Sequence, residues 1–422
     1  MKKIIDFYKR NRIKFLLFLS IFGPATITAM ADNDASGVAT YAIAGAKLGY
    51  PILFALLWIT VLLGVTQEMG MRVSLVSRKG LSALIREYHG VSAAVFIFIA
   101  LFIANMGTLT IEIAAFKMTA KMLGLPAVPL IVFLVAVVFL FVIKGNYKLT
   151  QNIMLLASLF YLAYIFSAFK ANPNWSLALK NLAWPQGLKF TSTYWKDYII
   201  IGLGVLGTTI TPWGQFFVSS FVLDKNLAIN KLKYSQAEAY WGAFLTDFFS
   251  FFMIVATAAT LFVHNIPLID GNQAAMAIEP FAGKSASILF ALGIMNAAFM
   301  GIVVVGLSTT YAFSEFFGLT GSLDAPFNKS KIFYILFIGQ IVLAFILAIF
   351  PFISLFKFAV TSQIINAMVL PPVFYYLIKF TNSNEIMGKY TNNRFQKWFA
   401  IGGTVIIVIA SLFTAAAIFI KF

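Results

Sequence analysis

From Lys331 to Phe356 the chain reads KIFYILFIGQIVLAFILAIFPFISLF, one charge followed by a mostly apolar run with no further charge to its end. A bilayer core about 30 Å thick requires a helix of roughly 20 apolar residues. Comparable runs recur, among them VPLIVFLVAVVFLFVI from Val128 to Ile143 and IMLLASLFYLAYIF from Ile153 to Phe166. In hydrocarbon every backbone polar group must be satisfied within the protein, so only helices and closed barrels can span it. Barrel strands alternate apolar and polar residues over about ten positions, and these runs do not alternate. Charged residues make up 11% of the chain and apolar residues 61%, against about 25% charged in a soluble domain. The runs and the composition predict an all-α polytopic membrane protein without a soluble domain.

Eleven transmembrane helices are expected, at 15–46, 51–77, 91–121, 127–146, 150–169, 198–222, 237–264, 283–317, 331–352, 355–379 and 397–420, with polar loops at 170–197 and 380–397. The net charge of +16 raises the question of nucleic acid, because clustered Lys and Arg are its electrostatic footprint. Their distribution argues otherwise. Roughly two-thirds of them fall at the N-terminus and in every second loop, the positive-inside pattern that sets topology. The N-terminus is therefore expected in the cytoplasm and, after an odd number of spans, the C-terminus outside; nucleic acid is not a partner. No small-residue cleavage site follows the apolar stretch 15–22, so the first helix reads as retained and not as a signal peptide. The chain has no Cys, which excludes disulfides, thiolate metal ligands and thiol redox chemistry.

Two spans are unlike the rest. The first carries ADNDASG from Ala31 to Gly37, and the sixth carries GTTITPWGQ from Gly207 to Gln215. Pro removes a backbone donor and clashes with the preceding turn, and Gly weakens a helix, so both spans should break near mid-membrane. Irregular backbone at that depth is tolerated only where it is buried in protein or lines a cavity. Matching breaks five spans apart are what a five-plus-five inverted repeat produces, with the substrate site between them. The repeats would run over about 15–169 and 198–379 of one transmembrane domain, with an extra helix at 397–420.

Carboxylates at membrane depth usually mark an ion or substrate path. Asp32 and Asp34 lie about halfway across the first span. On an intact helix residues two apart point roughly 200° apart, so both can face one site only where the backbone is unwound. A divalent cation between them would relieve their repulsion. Thr208, Thr209 and Thr211 offer hydroxyls, and carbonyls freed near Ala31 and Thr208 offer further oxygen, an all-oxygen set that suits Mg²⁺, Ca²⁺ or Mn²⁺. The structural alternatives stay open: Asp34 as a cap accepting backbone N–H groups near Gly37, and the Thr residues as partners for the broken backbone.

The segment GPATITAMADNDASGVATYAIAGAKLGY, Gly23 to Tyr50, resembles the first helix and following loop of the Nramp family of divalent-metal transporters, whose motif there is Asp-Pro-Gly-Asn. The family's Asp falls on Asp34, its Pro on Ala35, its Gly on Ser36 and its Asn on Gly37. TQEMGMRVSLVSRKGLSALI is similar to the second helix and its basic loop, TIEIAAFKM to the third helix at Glu112, and GTTITPWGQFFVSS to the sixth. The resemblance implies a leucine-transporter-type fold, alternating access and a divalent metal between the two breaks. It also marks departures. Thr211 stands where the family has a Met ligand, Trp213 and Val218 where it has His, and Leu109 where it has an Asp. Loss of the sulfur ligand shifts the expected selectivity toward Mg²⁺, as in the family's magnesium-transporting relatives, and loss of the His and Asp residues leaves proton coupling weak or absent.

Asp32 and Asn33 are additions to the family pattern, and Asp32 is expected to replace the missing Asn as a ligand, directly or through water. Gln363 and Asn366 are polar residues of the tenth span that can lend an oxygen to the site or hydrogen-bond between helices. Glu68, Glu112, Asp247 and Glu315 read as gate or network residues, with Lys117 and Lys121 pairing with Glu112 or reaching outward. The expected reading is a multi-pass cell-membrane protein, acting as a monomer, that imports a divalent cation as substrate and needs no cofactor. The alternative is a carrier of an amino acid or other organic solute, sodium-coupled or not, on the same fold; two Asp residues facing a substrate carboxylate count against it. No phosphate loop, nucleotide motif or catalytic constellation points to an enzyme.

Overall fold

The computed structural model describes residues 23–144, 147–319, 321–323, 327–350 and 352–419. In chain order the helices are α1 Pro24–Ala31, α2 Ala35–Leu48, α3 Ile52–Ser77, α4 Leu81–Met122, α5 Ala127–Lys144, α6 Tyr147–Ala157, α7 Leu162–Lys170, α8 Trp175–Ala183, α9 Ser192–Thr209, α10 Pro212–Asp224, α11 Leu232–Thr257, α12 Gly271–Met276, α13 Glu279–Ala282, α14 Ala286–Phe317, α15 Lys331–Ile349, α16 Leu355–Asn382, α17 Asn384–Met387 and α18 Arg394–Phe419. Among the described residues ten helical stretches are long and apolar enough to cross a membrane. The first span is not one of these ten, because it is split into the short halves α1 and α2; its expected start at 15–22 lies outside the described residues.

Both expected breaks are present. The first span breaks between Ala31 and Ala35, and the sixth between Thr209 and Pro212. The broken halves lie at the centre: α1 packs on α11, α2 on α16 and α11, α9 on α16 and α2, and α10 on α3 and α14, while α4 and α14 form the broadest helix pair. Tyr41, Trp213, Phe216, Phe217 and Tyr311 fill the space around them. Small residues set the closest approaches; a Cβ at Gly207 would lie 1.8 Å from the Gln363 carbonyl oxygen, so only Gly lets α9 meet α16 there.

Three sequence expectations change. The stretch 170–197, expected as loop, contains α8, whose start is capped by Asn174 accepting from the Leu177 N–H at 2.9 Å; its short amphipathic pattern is below the length that a span requires. The third span begins after Gly90, whose φ 81° and ψ 177° separate it from a preceding helical stretch that starts at Leu81, so the connection between the second and third spans is helical and its His89 stacks on Phe380. Lys117 does not pair with Glu112. Its Nζ donates to the carbonyls of Ala348, Phe350 and Ile353 at 3.3, 2.9 and 3.3 Å, a cation satisfying the orphan carbonyls at the end of α15.

Glu68 belongs to a structural network. It takes Arg72 at 2.7 and 3.0 Å, Gln236 at 2.7 Å and Gln396 at 2.8 Å, and Arg72 also reaches Asn392 at 2.7 Å. This saturated pair ties α18 to α3 and α11. A second carboxylate, Glu238 of α11, holds the start of α1: it accepts the N–H groups of Gly23, Thr26 and Ala25 at 3.1, 2.6 and 3.4 Å. Pro24 at the first helical position has no N–H to orphan. Replacing Glu238 with Ala should therefore lower stability by about 2 kcal/mol or more, since three buried donors lose their acceptor. Thermal unfolding in detergent measures this, with Glu238→Gln expected to fall between Ala and wild type.

Candidate metal site

After Ala31 the first span makes one tight turn. The N–H groups of Asp32, Asn33 and Asp34 donate to the carbonyls of Ala29, Met30 and Ala31 at 3.2, 3.2 and 3.1 Å. Asp34 then turns extended, φ −61° and ψ 178°, and its side chain caps α2 by accepting the Gly37 N–H at 2.7 Å. In the sixth span Ile210 and Thr211 are extended, and Thr211 caps α10 by accepting the Gly214 N–H at 3.0 Å. Four residues after Thr208 stands Pro212, which has no N–H to give the Thr208 carbonyl. Both breaks thus end in a helix N-terminus, and their positive ends favour negative charge.

Asp34 does not cap α2 alone. Glu112, reaching across from α4, accepts the Ala35 and Ser36 N–H groups at 3.0 and 2.9 Å. Ser36 donates its hydroxyl to Asp34 Oδ1 at 2.8 Å. Behind it, Asn366 donates to Gln363 Oε1 at 2.7 Å and Gln363 donates to Ser36 at 2.7 Å. Gln363 is thereby placed one residue behind Asp34, as an orienting group and not in its immediate oxygen set. Gly301 of α14 makes room for the carboxylates; a Cβ there would lie 2.8 Å from Asp34 Cβ and 2.9 Å from Glu112 Cδ.

Oxygen atoms converge on Gly37. The point where its Cβ would stand is 2.3 Å from the Asp32 carbonyl oxygen, 2.9 Å from Thr208 Oγ1 and 3.2 Å from Asp34 Oδ1. The Asp32 carboxylate turns toward the other break: Thr211 donates to its Oδ1 at 3.2 Å, and its Oδ2 is buried with no partner among the described residues. Asp32, Asp34 and Thr208 are each 1% exposed and Thr211 2%, so the whole set is shut off from solvent. No three His, Cys, Asp or Glu side chains among the described residues are grouped to hold a metal by themselves. Backbone and hydroxyl oxygens must complete any shell, and the oxygens at Gly37 are of that kind.

The remaining expected residues fall around this set. Ala31 keeps its carbonyl engaged by the Asp34 N–H at 3.1 Å. Asn33 faces α11, where its amide donates to Thr246 Oγ1 at 2.9 Å and its Oδ1 accepts from Ser250 at 3.0 Å; it fastens the turn. Trp213 is fully buried, and its carbonyl accepts the Ser308 hydroxyl at 2.8 Å. Sequence reasoning missed Ser36, Gly301 and Tyr161, whose hydroxyl donates to the Asn33 carbonyl at 2.5 Å. Ser36 sat inside the motif; Gly301 and Tyr161 had no local signal.

Two helices broken at matching positions, with buried oxygens between the breaks, give a multi-pass membrane protein of the leucine-transporter fold. The natural resistance-associated macrophage protein-like family model matches residues 25–417, and the chain belongs to that family. Among its relatives is the divalent metal cation transporter MntH of Pectobacterium carotovorum, 24% identical over 403 residues that cover 93% of each chain. The natural resistance-associated macrophage protein 2 homolog of Dictyostelium discoideum is 24% identical over 88% of this chain and 59% of its own. In fold the chain is similar to the Eremococcus coleocola manganese transporter, with TM-score 0.75 and 16% identity over 95% of this chain and 87% of that one. It is also similar to MHP1, a nucleobase-cation-symport-1 family transporter, with TM-score 0.54 and 14% identity over 93% and 90%.

If the oxygens at Gly37 hold the ion, Gly37→Ala should weaken cation binding at least about tenfold, a loss of about 1.4 kcal/mol. Isothermal titration of the purified protein measures it. Gly293→Ala, whose Cβ would meet nothing within 4 Å, should leave binding unchanged.

Proposed function

We propose that the protein is a secondary transporter importing a divalent metal cation, Mg²⁺ first and Mn²⁺ second, by alternating access with proton coupling weak or absent. The observation that carries this reading is the meeting of Asp34 Oδ1, the Asp32 carbonyl and Thr208 Oγ1 over Gly37. Family membership supports metal transport, and relatives named for divalent metal and for manganese support the cargo class. Hard oxygen donors favour Mg²⁺ and Mn²⁺ over softer ions, and Mg²⁺ commonly keeps several waters. Asp32, with one free carboxylate oxygen, is placed to take the ion directly or through such a water.

Each break gives the mechanism a part. Asp34 supplies charge, held in one orientation by Ser36, Gly37 and the relay from Gln363. Glu112 is committed to the Ala35 and Ser36 N–H groups, and Leu109, Trp213 and Val218 have no titratable group; a relay away from the ion has no stations there. The full burial of Asp32 and Asp34 corresponds to an occluded step between outward and inward exposure. A carboxylate-bearing organic substrate is disfavoured, because Asp34 and Glu112 already occupy the N–H groups at the start of α2 that would receive it. The positive-inside pattern supports a cell-membrane orientation with the N-terminus in the cytoplasm and the C-terminus outside.

Titration of wild type with Mg²⁺, Mn²⁺ and Ca²⁺, paired with uptake into liposomes, tests the reading. Asp34→Ala should abolish binding and uptake, and Asp32→Ala should weaken binding at least about tenfold. Absence of Mg²⁺ and Mn²⁺ uptake in wild type, with binding indifferent to Asp34→Ala, would overturn it. Thr211→Met should raise the preference for Cd²⁺ over Mg²⁺ by restoring a soft donor, at a stability loss of about 1 kcal/mol for the missing cap.

A further inference from the structure

Asp247 of α11 is buried, 4% exposed, and neither of its carboxylate oxygens has a hydrogen-bond partner among the described residues. The Thr60 and Ser250 hydroxyls lie beside it, and Tyr41 lies next to Ser250. None of these has a hydrogen to spare. Thr60 donates to the Leu56 carbonyl at 2.8 Å, and Ser250 to Asn33 Oδ1 at 3.0 Å and the Thr246 carbonyl at 3.1 Å. Tyr41 meets Thr209 Oγ1 at 2.7 Å; Thr209 gives its own hydrogen to the Val205 carbonyl at 2.8 Å, so Tyr41 is the donor of that pair. Asp247 therefore faces hydroxyl oxygens whose hydrogens have other acceptors, and these oxygens can join it around a cation.

Charge balance points the same way. The buried carboxylates near the breaks are Asp32, Asp34, Glu112 and Asp247. A divalent cation offsets two of them, and Glu112 has two backbone N–H groups. Arg72 is taken by Glu68, and Lys47 of α2 by Asp197 at 2.9 Å. Asp247 has no ion pair among the described residues, and an uncompensated carboxylate at membrane depth costs several kcal/mol. Thr60 and Asp247 also lie in the wall of a cavity of about 400 Å³ between α3, α8 and α11, otherwise lined by Leu, Phe and one Trp. We infer that Asp247, with the Thr60 and Ser250 hydroxyls, forms a second cation site that takes a monovalent alkali cation of the sodium class. One carboxylate matches one positive charge; a divalent ion there would leave an excess in a medium of low dielectric.

The site is read without metal transport by comparing thermal unfolding of the purified protein in sodium chloride and in choline chloride. Sodium should raise the unfolding temperature of wild type, and this shift should vanish in Asp247→Asn. The second readout rests on the transport reading above: an inward sodium gradient should raise Mn²⁺ uptake into liposomes about fivefold or more, with Asp247→Asn losing the stimulation while binding Mn²⁺ in choline as wild type does. Thr60→Val, which keeps the charge, should weaken the sodium dependence about tenfold and guards against misfolding of the Asn variant. Equal unfolding in sodium and choline, a sodium shift that survives Asp247→Asn, or a dependence on Asp247 that follows a proton gradient and ignores sodium would overturn the inference. Failure of Mn²⁺ uptake under every gradient would strike the transport reading, while the unfolding shift would still decide this one.

Discussion

The start of α2 in the middle of the membrane is the constraint on which the rest of the structure depends. A helix that begins at that depth exposes N–H groups with no water to take them, and two carboxylates do so instead: Asp34 from the turn itself and Glu112 from α4. The positive end of the half-helix offsets part of their charge. This arrangement turns a helix break, costly in hydrocarbon, into a fixed anionic point. The same device recurs at the start of α1, where Glu238 of α11 takes three N–H groups. Each half of the first span is thus held by a Glu from a neighbouring span.

Fixing the turn and lining the Gly37 position are tasks shared among several residues. Asp34 acts both as a cap and as an oxygen of the Gly37 set, so the capping and ligating interpretations of that residue are compatible. Its Oδ1 accepts from Ser36 and Gly37 and still borders the space above Gly37. Asp32 contributes at two points, its carbonyl over Gly37 and its carboxylate toward Thr211. Asn33 and Tyr161 fix the turn from the side. The missing side chain at Gly37 is as important as the residues present, because the space it leaves is where oxygen from both breaks meets.

The fold was legible in the chain because lipid makes a strict demand. Runs of about 20 apolar residues must be helices, and Pro212 and the Asp-rich turn must interrupt them. Helix ends and surface pieces were less so: α8 is only nine residues long, and its pattern is close to that of any polar loop. For Lys117 the charge alone allowed a pair with Glu112 or an outward reach, and its length takes it to carbonyls at the end of α15. Glu68 pairs with Arg72 four residues on, a spacing visible in the sequence, but its links to Gln236 and Gln396 are long-range contacts.

The sequence by itself determined that the chain is helical and membrane-spanning, that its first and sixth spans break, and that carboxylates stand at one break and Thr hydroxyls at the other. These are properties of composition and local chemistry, and they need no knowledge of what lies opposite. Only the tertiary structure decided which oxygens share a point. The Asp32 carbonyl, Thr208 and Asp34 converge because Gly37, Gly207 and Gly301 let three helices approach. Gln363 stands back because Ser36 comes between it and Asp34. Such distances depend on how helices pack across long separations in sequence, which no local pattern encodes.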